Sequence, residues 1–403
     1  MMRIALITLH TPTATNCRGA SALPFHLLAY RPDNTDVRVW SFNLNGCSDK
    51  QIKESESRLG INIRIMPKPG IIRYLSPAPV RLLLPKPVLG YLSLPADIAD
   101  EIREFLKNDD SALWIYGEDI AHLARRVDGV RTVITTPDCE AMYYHRVMAM
   151  KGMPLSVRSL FRYGLMYHRY ANMAASYPTD KHIRYHLVGQ EDTSFLRKLN
   201  PEADAIFIRH PHYDLSGKPN AEATGSERIR ILIAGRYDFT MAQAADEAFE
   251  AMKKLSREVK ERFLVTFLGK GWGKPASDLQ DCGFEVVLKG FVDDYAAEVA
   301  SHHIQLTPIA VGTGTKGKVL DAFANGLMVM GTPLALENIA AVSGKECVEY
   351  RDGAELNQWL VRVAENPALV NDIARAGRDA VLREHGREKV AGEFYALFDF
   401  NTL

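Results

Sequence analysis

Between residues 304 and 332 the chain reads IQLTPIAVGTGTKGKVLDAFANGLMVMGT: an apolar run, glycines with two lysines, an amphipathic segment and a second apolar run. A strand, a glycine-rich loop and a helix N-terminus in that order gather backbone N–H groups and the positive end of the helix dipole at one spot. Lys316 and Lys318 add charge to the same spot, and the combination suits a phosphate or diphosphate. In a helix beginning near Gly317, Lys318 and Asp321 stand three residues apart and share a face. Their offset along the axis is about 4.5 Å at ~1.5 Å per residue. That offset fits a lysine on a phosphate beside a carboxylate that accepts hydrogen bonds from a ribose diol. Val319, Leu320 and Phe323 point elsewhere, toward packing.

Three nucleotide motifs compete for this loop. Gly312, Gly314 and Gly317 spell G-x-G-x-x-G, the dinucleotide fingerprint. The strand that follows ends in Gly331-Thr332, however, with no acidic residue for an adenosine ribose, and the chain's first strand does not carry the motif. The same residues nearly spell a P-loop, but Val319 stands where a Ser or Thr would hold Mg²⁺, which argues against a phosphoryl-transfer ATPase. The third reading is a resemblance. GTGTKGKVLDAFANGLMVMGTPLALENI resembles the donor-binding segment of retaining GT-B glycosyltransferases of family 4, in the Gly-rich basic form common among capsule and exopolysaccharide enzymes. The second Glu of that family's Glu-x7-Glu motif, its ribose ligand, falls on Asp321; the first falls on Thr313, so the usual sugar-contacting carboxylate is missing. Lys316 and Lys318 fall on the phosphate ligands of the basic form, with Gly314 and Thr315 in the same loop.

The resemblance extends to other segments. In ILIAGRYDF, Arg236 takes the place of the arginine on the donor diphosphate, and Ala242 or its neighbours stand where a lysine often follows. FLGKGW and KGFVDDY resemble two further strand ends, the second placing Phe291 and Val292 near the nucleotide base. Gly19 falls on a glycine-rich turn near the diphosphate, with a plain loop glycine as the alternative. Asp138, in TTPDCEAMYYHR, falls where these enzymes set an Asp or His facing the sugar; its plain alternative is a helix N-cap. Glu118, in WIYGED, is a second catalytic candidate, with first-turn helix charge as its alternative. The resemblance implies an α/β GT-B fold, two Rossmann-like doubly wound domains facing a central cleft. It also implies metal-independent, anomer-retaining transfer from a nucleotide diphosphate-sugar, preferably a UDP-sugar, to a saccharide or lipid-linked glycan in cell-surface polysaccharide synthesis. Arginine, lysines and loop amides would stabilise the leaving diphosphate, and a carboxylate would assist deprotonation of the acceptor hydroxyl. A nucleotide-sugar epimerase or hydrolase, or a binding protein that has lost turnover, remain as alternatives.

The elements that must position these residues follow from hydrophobic periodicity. Apolar runs at 3–9, 37–42, 61–66, 112–116 and 131–136 alternate with helix-length segments, and the rhythm restarts at 229–235, 263–269, 284–290, 304–309 and 327–332. Between the two series lies a polar stretch at 214–228, the best linker in the chain. We read residues 1–208 as an acceptor-binding domain, 209–380 as a nucleotide-sugar-binding domain, and 381–403 as a C-terminal helix crossing back to the first.

The 403 residues carry 49 basic and 49 acidic side chains, so no global positive field points to nucleic acid. Cys17, Cys47, Cys139, Cys282 and Cys347 are odd in number and lack metal-type spacing, the pattern of a reduced cytosolic chain. His210 and His212, His182 and His186 at helical spacing, and His302-His303 find no completing ligand set, so neither metal nor other cofactor is expected. No run is long enough to span a bilayer, and the N-terminus lacks a signal-peptide pattern. Two stretches could still lie on an anionic membrane. Residues 71–95 interleave Arg73, Arg81 and Lys86 with Tyr and Leu. Residues 155–170 set Arg158, Arg162 and Arg169 on one flank and Leu160, Phe161 and Leu165 on another. The expected location is the cytoplasm, peripheral on the inner face of the membrane.

Overall fold

The computed structural model describes all residues except 15–18, 68–69, 76–80, 82, 109, 128, 151–155, 214, 218–220 and 401–403. Cys17, part of the 71–95 stretch and part of the 214–228 stretch therefore lie outside the described residues, as do the side chains of residues 72 and 73. The chain divides into two compact units: Met1–Ala149, Pro154–Pro211 and Arg387–Leu403 form the first, and His212–Gly386 the bulk of the second.

The first unit is built on a seven-stranded sheet of β1 (Met2–Thr8), β2 (Thr35–Ser41), β3 (Asn62–Ile65), β4 (Ser111–Tyr116), β5 (Arg131–Thr135), β6 (Ile183–Leu187) and β7 (Ala205–Phe207). All neighbours are parallel, in the order β3-β2-β1-β4-β5-β6-β7. Within the β1 sequence MRIALIT residues 4–7 form an unbroken apolar run because both faces of the sheet are covered. Ala5 and Ile7 enter one core with Leu113, Ile115 and Tyr185. Ile4 and Leu6 enter the other with Val37, Val39 and Trp114. The last helix, Arg387–Ala396, belongs to this unit and adds Phe394 to the second core, joined by Phe398 just past its end. The Trp114 and Phe394 rings lie 4.7 Å apart, and Arg184 donates to the carbonyls of Leu397 and Asp399 at 3.0 and 2.9 Å.

The second unit repeats the plan with β8 (Ile229–Ala234), β9 (Phe263–Leu268), β10 (Glu285–Lys289), β11 (Ile304–Thr307), β12 (Met328–Gly331) and β13 (Val348–Glu349). The strands are parallel and ordered β10-β9-β8-β11-β12-β13. Ile229, Ile231 and Ile233 pack on one face with Phe263, Val265 and Phe267. Leu232 and Ala234 pack on the other, against Val319, Leu320 and Phe323 of the helix Gly317–Ala324.

Both sheets thus share one doubly wound order, in which the strand sequence runs one way from the first strand and then reverses. In such sheets ligands bind outside the carboxyl ends of the strands at the reversal. That point lies between β1 and β4 in the first unit and between β8 and β11 in the second.

Two expectations need correction. His182 and His186 do not share a helix face, because residues 183–187 form β6; His186 lies buried on that strand. Arg169 is not a surface arginine. It is buried on the helix Val157–Ala175 and donates to the carbonyls of Leu84, at 2.9 Å, and Arg81. Fixed carbonyls satisfy a guanidinium that hydrophobic spacing alone would have left in solvent.

Candidate functional site

In the second unit the two reversal strands deliver their loops to each other. Beyond β8, Gly235 stands at φ 145° and Arg236 follows it into solvent. Arg236 makes no hydrogen bond or ion pair among the described residues. Beyond β11, the N–H groups of Ala310 and Val311 donate to the Thr240 carbonyl at 2.9 and 3.2 Å, which joins the two loops. Asp238 Oδ1 stiffens the first loop by accepting from the Thr240 hydroxyl at 2.6 Å and amide at 3.0 Å. The β9 end closes against the β8 loop: a Cβ on Gly269 would stand 1.8 Å from the Gly235 carbonyl oxygen, so only glycine fits there.

The helix after the loop is Gly317–Ala324. Lys316 occupies its N-cap position, and no side chain caps the end. An N-terminus built this way presents backbone N–H groups and positive dipole to an anion. Gly314 makes the preceding turn at φ 58°. Lys318 is exposed at the first turn. Lys316 instead folds over the loop, its Nζ donating to the carbonyls of Thr313 and Gly314, each at 2.9 Å. Asp321 is half-buried and accepts at 3.1 Å from the Tyr213 amide through Oδ1. Thr315 lies half-buried between Gly314 and Lys316. Farther along the sheet, past β10, Phe291 is 84% exposed while Val292 packs against the core that holds Leu320. An exposed aromatic on an otherwise anchored strand end is a ready face for stacking.

In the first unit, Gly19 begins the helix Gly19–Ala29 in the segment after β1, directly behind residues outside the described set. Glu118 follows β4 at the start of the 3-10 helix Glu118–Arg126, behind Gly117 at φ 123°. Asp138 follows β5, just ahead of the helix Glu140–Ala149. The reversal and its neighbouring strand thus bring Asp138 close enough to raise the Glu118 carboxyl electrostatically, and they add two carboxyls that sequence reasoning missed, Asp119 and Glu140.

The cluster is poor in counter-charge. Tyr177 donates its hydroxyl to Glu118 Oε2 at 3.4 Å, whereas Glu118 Oε1 and Asp119 Oδ1 are buried with no hydrogen-bond partner among the described residues. Burial, followed by the charges of Glu140 and Asp119, pushes the Glu118 carboxyl well above the usual range. Burial lifts Asp119 to about 6, and burial with Asp138 beside it lifts Glu140 to about 7. Tyr177 and Tyr170 are pushed up by burial and the same carboxylates. Asp192, fully buried, accepts from the Cys139 amide at 2.8 Å and pins the turn that carries Asp138. A carboxyl poised near neutrality can hold or release a proton in the working pH range. In sequence the signal lay in the pairs Glu118-Asp119 and Asp138-Cys139-Glu140, acidic residues clustered at two successive strand ends.

Among the described residues there is no group of three or more His, Cys, Asp or Glu side chains able to hold a metal. Cys47, Cys139, Cys282 and Cys347 are free thiols. No helix among the described residues is long and apolar enough to cross a membrane.

A glycine-rich loop and an uncapped helix N-terminus at the switch point of one Rossmann-like sheet, and a second such sheet in the same chain, define a class, and comparison with known proteins agrees. Residues 246–396 match the family model of glycosyl transferase-like proteins. The chain has the GT-B fold of glycosyltransferases. Anabaena Alr3699/HepE, solved in complex with UDP and glucose, superposes with a TM-score of 0.62 at 12% identity over 98% of both chains. Sucrose-phosphate synthase from Thermosynechococcus elongatus gives 0.61 at 11% identity over 99% of this chain and 98% of its own. WaaG, a glycosyltransferase involved in lipopolysaccharide biosynthesis, gives 0.60 at 13% identity over 98% and 99%. No curated protein matches the chain.

Proposed function

We propose that the protein transfers a sugar from a nucleotide diphosphate-sugar, with UDP-sugar the preferred donor, to a saccharide or lipid-linked glycan acceptor, without a metal and with retention at the anomeric carbon. The observation that carries this reading is the uncapped helix N-terminus at Gly317, set at the sheet's switch point with Arg236 and Lys318 exposed beside it. A diphosphate placed there would meet helix dipole, loop amides and two exposed cations as charge builds on the leaving group. Asp321 would take the ribose while keeping its bond to the Tyr213 amide, since a carboxylate accepts several hydrogen bonds. Phe291 would stack on the base. In the first unit Glu140, lifted to about 7 by burial and Asp138, joins Glu118 as a candidate to receive a proton from an acceptor hydroxyl; Asp138 would face the sugar. UDP–sugar complexes of Alr3699/HepE support the donor class, and the role of WaaG supports a glycan acceptor in cell-surface synthesis.

The reading is tested by thermal shift with UDP, GDP, ADP, NAD and ATP–Mg²⁺ on the wild type and Lys318→Ala, whose exposed side chain can be removed without disturbing the core. Ligand at about 100 times Kd should add roughly 2.7 kcal/mol. A shift with one nucleoside diphosphate, reduced in the variant, names the base for transfer assays. Stabilisation by NAD or ATP–Mg²⁺ alone would falsify the proposal. Binding of UDP-sugar with no release of UDP in the presence of any glycan would instead favour the binding-protein reading, for which Thr313 in place of a carboxylate is the specific observation.

A further inference from the structure

Six of the most exposed apolar side chains lie in two stretches of the first unit that share a property of the sequence. No acidic residue occurs between Glu56 and Asp97 or between Glu140 and Asp180, in a chain with 49 of them. The second stretch contains the helix Val157–Ala175, whose buried residues Arg169, Met173 and Ala174 lie in its C-terminal half and whose first two turns stand in solvent. There Val157 is 86% and Phe161 67% exposed, with Leu160 beside them. Arg158 and Arg162 are exposed among these side chains, and neither makes an ion pair or hydrogen bond among the described residues.

The first stretch is fastened to the same helix. Arg169 grips the carbonyls of Leu84 and Arg81, and Lys86 Nζ donates to Ser176 Oγ at 2.8 Å, just past the helix end. Those bonds hold the Arg81 side chain in solvent and Leu83 85% exposed. Bulky apolar side chains normally leave the surface unless something covers them, and uncompensated arginines among them restrict what that cover is.

We propose that this surface docks on an anionic lipid bilayer, with Phe161, Val157 and Leu83 entering the headgroup–acyl boundary and Arg158, Arg162 and Arg81 meeting lipid phosphates. Charge complementarity selects this occupant: an apolar protein face would leave the arginines desolvated and unpaired, whereas anionic headgroups supply both neutralisation and an apolar layer beneath. The surface shares no residue with the donor loop, so the inference stands whether or not the transferase reading holds.

The full-length protein should co-sediment with vesicles of phosphatidylglycerol and phosphatidylcholine at 0.1 M salt but not with phosphatidylcholine alone. Each arginine removed should weaken binding about fivefold, so Arg158→Ala with Arg162→Ala should lose about 25-fold. Leu160→Ser with Phe161→Ser should lose roughly tenfold or more. Thermal midpoints should hold in both variants because the side chains are exposed, and Arg375→Ala, an exposed arginine of the second unit, should bind as the wild type does. Failure to bind anionic vesicles overturns the proposal, as does binding that both double variants leave unchanged or that Arg375→Ala weakens equally. A wild-type dimer in solution that Phe161→Ser abolishes, without vesicle binding, would assign the face to a second copy of the chain.

Discussion

The two units share a strand order and differ in the chemistry they place at its reversal. In the second unit the reversal carries exposed cations, an open helix N-terminus and glycines packed against backbone. In the first, the reversal and the neighbouring β5 carry four carboxyls, two of them with shielded oxygens that lack hydrogen-bond partners among the described residues. Topology therefore fixes where a ligand can sit, and side chains fix which ligand. The basic site is made largely of backbone and costs little to keep ready. The acidic site stores unfavourable charge, and its carboxyls relieve this by holding protons.

The largest effect should come from removing the positive side of that contrast. Arg236→Ala and Lys318→Ala each take away a cation aimed at developing charge, and together should lower kcat/KM roughly 10²- to 10³-fold with little change in thermal midpoint. Steady-state kinetics with the donor nucleotide identified by thermal shift measure this. A double variant within threefold of the wild type would remove the loop from the chemistry.

Next comes the backbone that brings the loops together. Gly269→Ala forces a Cβ against the Gly235 carbonyl at a position with φ 129°, where two strand ends approach. The expected loss is about 2–4 kcal/mol of unfolding free energy. Urea unfolding reads it, and a loss below about 1 kcal/mol would mean that the two loops move apart easily.

How legible these regions were in sequence follows from how each is assembled. The basic loop is contiguous: GTGTKGK and the apolar runs around it announce strand, turn and helix in order, and the helix begins at Gly317. RIALITL was legible as β1 because a strand buried on both faces carries an unbroken apolar run, here residues 4–7. IRYHL was not, because Arg184 and His186 break the apolar run. Tertiary contacts that no local pattern displays engage both: the carbonyls of Leu397 and Asp399 for Arg184, and Thr135 Oγ1 at 3.2 Å for His186. The acidic cluster was half legible. Glu118 and Asp138 stand at strand ends, but Asp119 and Glu140 acquire their importance only when β4 and β5 pair and bury them.

The pH dependence sharpens the contrast. Glu140 titrates at about 7 when folded and near 4.5 when unfolded, so its contribution is fully present below about 4.5 and is lost as pH rises through 7; Asp119 does the same between about 4 and 6. Buried histidines act in the opposite direction. His303, whose Nδ1 accepts from the Arg230 amide at 2.9 Å, and His210 are lowered to about 4, so their contribution is present above 6.5 and is lost as pH falls to 4. The two trends oppose each other between about 4.5 and 6.5 and flatten the profile. Glu140→Gln removes one of them. It should raise stability at pH 8 by on the order of 2 kcal/mol and leave a curve that climbs from pH 4 to 6.5. Thermal midpoints across pH 4–9 measure this, and identical profiles for wild type and variant would mean that Glu140 is not held in its protonated form.

The smallest effect tests whether the basic loop is as rigid as its backbone implies. Gly314 is buried at φ 58°, a conformation that costs most L-residues about 1 kcal/mol but that asparagine tolerates better. Its carbonyl accepts from Lys316 Nζ at 2.9 Å and from Asn338 Nδ2 at 3.4 Å, so the turn also aims a lysine. Gly314→Ala should lower stability by about 1 kcal/mol and raise the donor KM, whereas Gly314→Asn should lose less of both. If the two substitutions cost the same, packing around the buried turn dominates its dihedral preference. A KM that stays constant while stability falls would show that Lys316 acts only as a clasp on the loop, leaving Arg236 and Lys318 as the cations that meet the donor.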